Sequence, residues 1–452
     1  MRNWSIASIV TMWALISTAD AGELEAGAAA VNLVADDSMV IGGGIGPRKA
    51  VGQEGQLRVS AVVIKDPRGD KVALIECDVL MVNRDVLDRA AHKIERELSI
   101  PFDHILINAT HTHSAPTTCS IHGYRREEAF TQQVGDKAFE AAAAASKRLG
   151  PVTMLFRLGE ESSVGRNSRL LLADGTVFWT GSHADAVRPT GPFDPELPVW
   201  AFRRRDGALE AVLFNHSTHT IGTVKPNVRS PSFYGLAAQG LEKERGGTFL
   251  FFEGASGSTH NLDLLAPEMI YRISQAVTAA LATAQPRPVD RVRGIRSEFA
   301  YTVRRFDEAA DEKAVVSYCS KRIKDPAAAK FTIDTFRDMR KELAPHRGEK
   351  RKTWIQAITI GGTAIVGVPG EFFTVLGEDI KRRSPFRYTF VFELSNDYIG
   401  YIADRKGHDL GGYQTWTGLH SFLEPGTGEE IVAESVKLLD RLHHEAVATG
   451  SP

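Results

Sequence analysis

The sequence predicts an α/β protein built from mixed β-sheets flanked by helices, and three observations carry that expectation. Apolar runs of strand length, such as Val72 to Val79, Ile105 to Ala109 and Thr248 to Phe252, recur along the chain. They are separated by longer charged stretches whose apolar residues fall at helical spacing, as in Val86 to Leu98. Over 452 residues, 43% of them hydrophobic and 24% charged, that alternation supplies a core large enough for sheets covered by helices.

The N-terminus has the form of a targeting segment. Arg2 precedes a mostly apolar run from Trp4 to Ser17, and Ala19-Asp20-Ala21 has the small-x-small pattern of a cleavage site. Residues 1–21 are expected to be a signal peptide, leaving a secreted or periplasmic chain of one domain over 22–452 with no transmembrane segment after cleavage. A formal net charge of −2, with no basic stripe, argues against a nucleic-acid partner. Three cysteines, Cys77, Cys119 and Cys319, allow one bridge at most, and Cys77, inside a strand pattern, is expected to be free.

After the leader, Ile41-Gly-Gly-Gly-Ile-Gly46 lacks the strand and helix that a phosphate-binding loop needs, and is expected to pass beside the mouth of a site. Strands over Leu57 to Ile64 and Val72 to Val79 flank Asp66-Pro-Arg-Gly-Asp70, a hairpin turn. The Val86 to Leu98 helix, closed by Pro101, leads into the Ile105 to Ala109 strand, which makes a strand–helix–strand crossover. Asp78 then falls at the same sheet edge as the residues after Ala109, either as a carboxylate that orients an imidazole or as a turn cap. The alanine-rich residues 126–148 form a scaffold helix. Between Val152 and Trp200, strands and turns return. There Arg166 and Arg169 are candidate contacts for an oxygen-rich substrate or a developing anion, with solvated loop arginines as the plainer alternative. Charges alternate over residues 303–352, which fits solvated helices. Ile358 to Val368 has the pattern of a buried strand that delivers Glu371, and Glu429 to His444 that of a closing helix.

Chemistry concentrates at the strand ends. Thr110-His-Thr-His-Ser114 continues one apolar run, and strand alternation places His111 and His113 on one face. Imidazole is the commonest zinc ligand, and a catalytic zinc takes about three protein ligands. A second run ends in Asn215-His-Ser-Thr-His219, where His216, directly at the strand end, is the stronger candidate. A third ends in Glu253-Gly-Ala-Ser-Gly-Ser-Thr-His-Asn261. This glycine-serine turn lacks the spacing of the G-x-S-x-G nucleophile elbow.

Thr110-His-Thr-His-Ser114 with Pro116, Asp194-Pro-Glu196, Phe214-Asn-His216, Pro369-Gly-Glu371 and Asn396-Asp-Tyr-Ile-Gly-Tyr401 occur in the order found in the neutral (alkaline, non-lysosomal) ceramidase family, which the chain resembles over residues 30–425. The resemblance implies that family's catalytic-domain fold and a Zn2+ ion held by His111, His216, Glu371 and Tyr401. It implies His113 beside the metal as a proton-transfer group, Tyr401 also as an oxyanion stabiliser, and ceramide as one candidate substrate.

Two departures accompany it. The family's catalytic serine lies in G-D-x-S-P-N, whereas the matching turn here reads Gly257-Ser-Thr-His-Asn261, with His260 in the serine's place and Ser256 and Ser258 nearby. The chain also ends soon after the tyrosine motif, so no C-terminal β-sandwich domain is expected. The expected function is an exported zinc hydrolase cleaving an amide or related linkage in a lipid or glycoconjugate. One alternative is a zinc-dependent lyase or glycosidase acting on carbohydrate or glycoconjugate, with His260, His113 and Tyr401 as acid and base. The other is a zinc-bearing binding protein without turnover.

Overall fold

The computed structural model describes residues 22–448, so the expected signal peptide lies outside the described residues. Among the described residues, no helix is long and apolar enough to cross a membrane.

Two mixed sheets lie face to face. The larger runs in the order Thr248–Glu253, Leu209–His216, Glu196–Arg204, Gly150–Glu160, Glu25–Asn32, Arg58–Lys65, Lys71–Cys77, Ile105–Ala109, with Gln285–Pro286 paired beside Gly150–Glu160. Its pairs are antiparallel except at the two ends, where Leu209–His216 lies parallel to Thr248–Glu253 and Lys71–Cys77 parallel to Ile105–Ala109. Parallel neighbours need a crossover. The helix Arg84–Leu98 provides one and the helix Ser232–Arg245 the other. The smaller sheet runs Val292–Thr302, Lys350–Ile360, Thr363–Gly367, Tyr388–Phe392.

Side-chain alternation explains the layering. In Arg58–Lys65, Val59, Ala61 and Val63 pack with residues of the Arg84–Leu98 and Glu128–Lys147 helices, while Val62 and Ile64 join a layer shared with the smaller sheet. In Glu196–Arg204, Val199 and Ala201 meet the Ser232–Arg245 and Ala266–Ala282 helices, while Trp200 and Phe202 point into the shared layer. Strands apolar on both faces are the signature of a sheet covered on both sides. The far face of the smaller sheet is covered by Thr374–Arg383 and Thr427–Ala448, which completes a helix–sheet–sheet–helix stack. Trp200, Phe252, Phe390 and Phe392 fill the middle layer. Burying each such side chain contributes about 1.5–3 kcal/mol, so this layer fixes one sheet against the other.

Two segments depart from expectation. Ile358 to Val368 is not one strand: Gly361 and Gly362, at φ 53° and 75°, turn the chain into a hairpin between Lys350–Ile360 and Thr363–Gly367. The charged segment forms two packed helices, Glu308–Arg322 and Pro326–Leu343, each N-capped by an aspartate, Asp307 and Asp325. These helices are not wholly solvated, because Tyr318, Phe336 and Met339 bury against Trp416 and Trp179. All three cysteines are buried and free.

Although five antiparallel pairings separate the two parallel pairs in the sheet, their carboxyl ends come together, with Asn108 and Glu253 both bonded to the main chain of Glu393. Chain leaving their carboxyl ends meets there, the usual place for a site in an open α/β sheet.

Candidate metal centre

The Ile105–Ala109 strand stops before the histidine pair. His111 has φ 61°, in the left-handed region, so the chain has already bent and strand alternation does not place the two rings. A non-glycine residue held there costs about 1–3 kcal/mol and persists only when its surroundings demand it. The bend brings His111 Nε2 and His113 Nε2 to 3.3 Å.

Hydrogen bonds fix which nitrogens point inward. His111 Nδ1 lies 2.9 Å from Leu80 O, His113 Nδ1 3.0 Å from Gly43 O, and His219 Nδ1 2.9 Å from Ser256 O. A carbonyl can only accept, so each Nδ1 carries the proton and each Nε2 presents a lone pair. These three histidines form the one metal-competent group among the described residues, with ligand atoms all within 4.8 Å of one another. Glu371 Oε2 sits 3.5 Å from His111 Nε2 and 3.2 Å from His219 Nε2. Glu371 and Tyr401 are direct register partners in the short parallel pair Glu371–Phe372 and Tyr401–Ile402, and Tyr401 Oη reaches 3.2 Å from His219 Nε2. Tyr398 Oη donates to the other Glu371 oxygen at 3.0 Å.

Electrostatics make this set demanding. Burial, and then the neighbouring imidazoles, push His113 well below its ordinary range, and burial and His111 push His219 down, so both rings are neutral. Burial raises Glu371, but the His111 and His219 rings beside it, 3.5 and 3.2 Å away, hold its carboxyl well below the usual carboxylate range. Burial and the Glu371 charge push both tyrosines up, leaving phenols that donate. Lone pairs of three imidazoles and a buried carboxylate thus face one another, and that carboxylate pairs with no Lys or Arg among the described residues. Such a set repels itself unless a cation occupies it. Nitrogen and oxygen donors suit Zn2+, and Nδ1–carbonyl bonds are the outer support that zinc-binding histidines show. The residues present therefore fit the metal.

The other sequence candidates fall in different places. His216 is not brought to the cluster: its Nδ1 bonds Tyr234 Oη and its Nε2 lies 2.9 Å from Glu161 O, so both nitrogens are occupied. It is still inside the strand, on the face of Val212 and Phe214 that packs on helices, and only three residues later does the chain turn His219 inward. Asp78 does not touch an imidazole. It accepts from Arg58 N at 3.1 Å and Thr110 Oγ1 at 3.3 Å, and burial pushes it up to about 7. The orienting acceptor for His111 is the Leu80 carbonyl instead. Arg166 is exposed and paired with Asp263 at 2.7 Å. Arg169 is buried, bracing the loop below Tyr413 by donating to Gln414 Oε1 and to the carbonyls of Gly407 and Gly411. Ser258 Oγ exchanges hydrogen bonds with Thr374, at the start of the Thr374–Arg383 helix. Ser256 Oγ donates to Glu393 at 2.7 Å.

A cavity of about 360 Å³ opens onto the cluster, lined by His113, His219, His260 and Tyr401 with Trp179 and Tyr413 among its walls. Neither Ser256 nor Ser258 lines it, and neither does any Lys, Arg, Asp or Glu. The His260 ring stacks on His219 with centroids 5.7 Å apart. Its Nδ1 bonds Asn261 O, which leaves Nε2 as an acceptor, and burial together with His219 pushes it down to about 4.

Sequence reasoning gave no role to Tyr398 or Glu393, and it set the glycine loop beside the site mouth without singling out Gly43. Gly43 had a signal in its glycine cluster: at φ 95° its carbonyl aims at His113, and a Cβ there would fall 2.5 Å from that ring. Gly43→Ala is expected to destabilise the fold by more than about 1 kcal/mol and to shift the His113 imidazole resonances. Denaturant titration and histidine-selective NMR would check both.

A four-layer α/β domain with a buried three-histidine group at its strand ends is the class that fold and site define. Among solved structures, it is similar to neutral ceramidases. The crystal structure of neutral ceramidase from Pseudomonas aeruginosa matches with a TM-score of 0.73 at 16% identity, covering 94% of this chain and 75% of that one. A ceramidase complexed with C2 matches with a TM-score of 0.70 at 16% identity, covering 94% and 76%. No family model matches the sequence, and no curated protein matches it significantly. The neutral-ceramidase-like fold is what these likenesses establish.

Proposed function

We propose that the protein is an exported zinc-dependent hydrolase that cleaves an amide or related linkage. Convergence of the His111, His113 and His219 Nε2 atoms with Glu371 Oε2 beside an open cavity carries this assignment. His111, His219, Glu371 and Tyr401 would hold the ion, with His219 taking the place the sequence assigned to His216. When bound, zinc supplies an acidified water and a polarised carbonyl. His113, which lines the cavity, moves a proton, and Tyr401 donates to the developing oxyanion. His260 Nε2 accepts a proton or returns it to the leaving nitrogen. Walls without charged side chains favour an uncharged group at the centre, which suits an amide better than an acidic sugar. A lipid amide of the ceramide type is the leading substrate class, in keeping with what the similar structures are called.

Release of fatty acid from short-chain and long-chain N-acyl sphingoid bases tests this directly. Turnover is expected to vanish on chelation and to return with Zn2+. Absence of release from every N-acyl substrate with zinc bound would refute it.

One observation favours a second assignment. His260, rather than Ser256 or Ser258, faces the cavity, and with Tyr401 it makes an acid–base pair suited to a lyase or glycosidase acting on carbohydrate or glycoconjugate. A screen of ceramide against acidic oligosaccharides separates the two, because elimination next to a sugar carboxylate leaves a conjugated product that absorbs in the ultraviolet, whereas hydrolysis does not.

A further inference from the structure

We propose that Glu393 is a positioning residue of the metal centre, one carboxylate that sets both His219 and Glu371; this rests on the zinc assignment above. Glu393 is fully buried and directly follows the Tyr388–Phe392 strand. Its Oε1 accepts from Ser256 Oγ at 2.7 Å, and its Oε2 accepts from Ser256 N at 3.0 Å and Phe372 N at 2.7 Å. Ser256 presents the carbonyl that holds His219 Nδ1, and Phe372 is the neighbour of Glu371. The main chain of Glu393 reaches a third ligand segment, since its carbonyl accepts from Asn108 Nδ2, three residues before His111.

One residue thus ties together three ligand-delivering segments, two through its carboxylate and the third through its carbonyl. No Lys or Arg pairs with it among the described residues, and its carboxylate partners are two backbone N–H groups and one hydroxyl. An imidazole ligates well only while its other nitrogen is held. Loosening the Ser256 turn therefore frees the His219 ring to rotate away from the ion. Length matters more than acidity here, because the carboxylate must reach Ser256 and Phe372 together.

Glu393→Asp keeps the group and shortens the reach, whereas Glu393→Gln keeps the length and the acceptor shared by the two backbone donors. Zinc affinity would be measured on the full chain by competition with a chromophoric chelator, alongside the apo-protein unfolding midpoint and the visible spectrum of the Co2+-loaded protein. Glu393→Asp is expected to weaken zinc binding about 10- to 100-fold and to alter the Co2+ spectrum, and Glu393→Gln to stay within about tenfold of wild type. Ser256→Ala, which removes only the Oγ bond, is expected to lie between them and decides the matter if Glu393→Asp does not fold. Wild-type zinc affinity in Glu393→Asp, or in Ser256→Ala where the former does not fold, would overturn the positioning role, as would a lowered midpoint with an unchanged Co2+ spectrum. Failure of the wild-type protein to bind zinc would instead overturn the metal assignment itself.

Discussion

His219→Ala is expected to abolish stoichiometric zinc binding, and His216→Gln to retain it. The two positions lie three residues apart on one strand exit, so the comparison isolates geometry from composition. His219 offers Nε2 at 3.2 Å from the Glu371 oxygen that also approaches His111, while His216 spends both nitrogens on Tyr234 and the Glu161 carbonyl. Loss of a supporting residue outside the ligands already costs 10–100-fold in affinity, so loss of a ligand should cost at least that. His111→Ala and Glu371→Ala should match His219→Ala. The cost of His216→Gln falls instead on stability, about 1–3 kcal/mol if the Tyr234 hydroxyl is left unsatisfied. Metal content by mass spectrometry and chelator competition, with denaturant midpoints alongside, would separate these outcomes. Zinc kept by His219→Ala and lost by His216→Gln would restore the assignment drawn from sequence.

That contrast also shows what the chain discloses about itself. Local periodicity was legible: the Asp66–Asp70 hairpin and the crossover through Arg84–Leu98 follow from turn residues between strand-length runs and from a period of 3.6. Short motifs were legible too, because Pro369-Gly-Glu371 and the tyrosine motif place Glu371 and Tyr401 in register as neighbours. What the pattern does not contain is where a strand stops. His216 follows the apolar run as directly as any ligand should, yet only the exit turn decides that His219 points inward. Gly361 and Gly362 hid a hairpin inside an apolar stretch for the same reason. Glu393 gave no signal, since a carboxylate at a strand end is ordinary until Ser256 and Phe372 converge on it from distant parts of the chain.

His260→Ala is expected to lower kcat by about 10²- to 10⁴-fold with zinc content unchanged, the range for a positioned general acid or base. Its ring stacks on His219 and lines the cavity, and burial keeps it neutral, able to accept a proton at ordinary pH. The serines stand differently. Ser258 Oγ is committed to Thr374, and Ser256 Oγ to Glu393, on the side of His219 away from the cavity. Ser258→Ala should therefore cost about 1 kcal/mol of stability and leave turnover near wild type, and Ser256→Ala should keep most of its turnover once zinc is saturating. KM separates the possible outcomes for His260. A fall in kcat at constant KM marks a group used in the transition state, whereas a rise in KM alone would reduce His260 to a wall of the cavity. Abolished turnover in zinc-loaded Ser256→Ala, with His260→Ala active, would mean that the turn rearranges to deliver a serine nucleophile. Near-normal activity in both variants would leave His113 and Tyr401 to carry the proton transfers alone, a set that lies within reach of the cluster without any residue from the divergent turn.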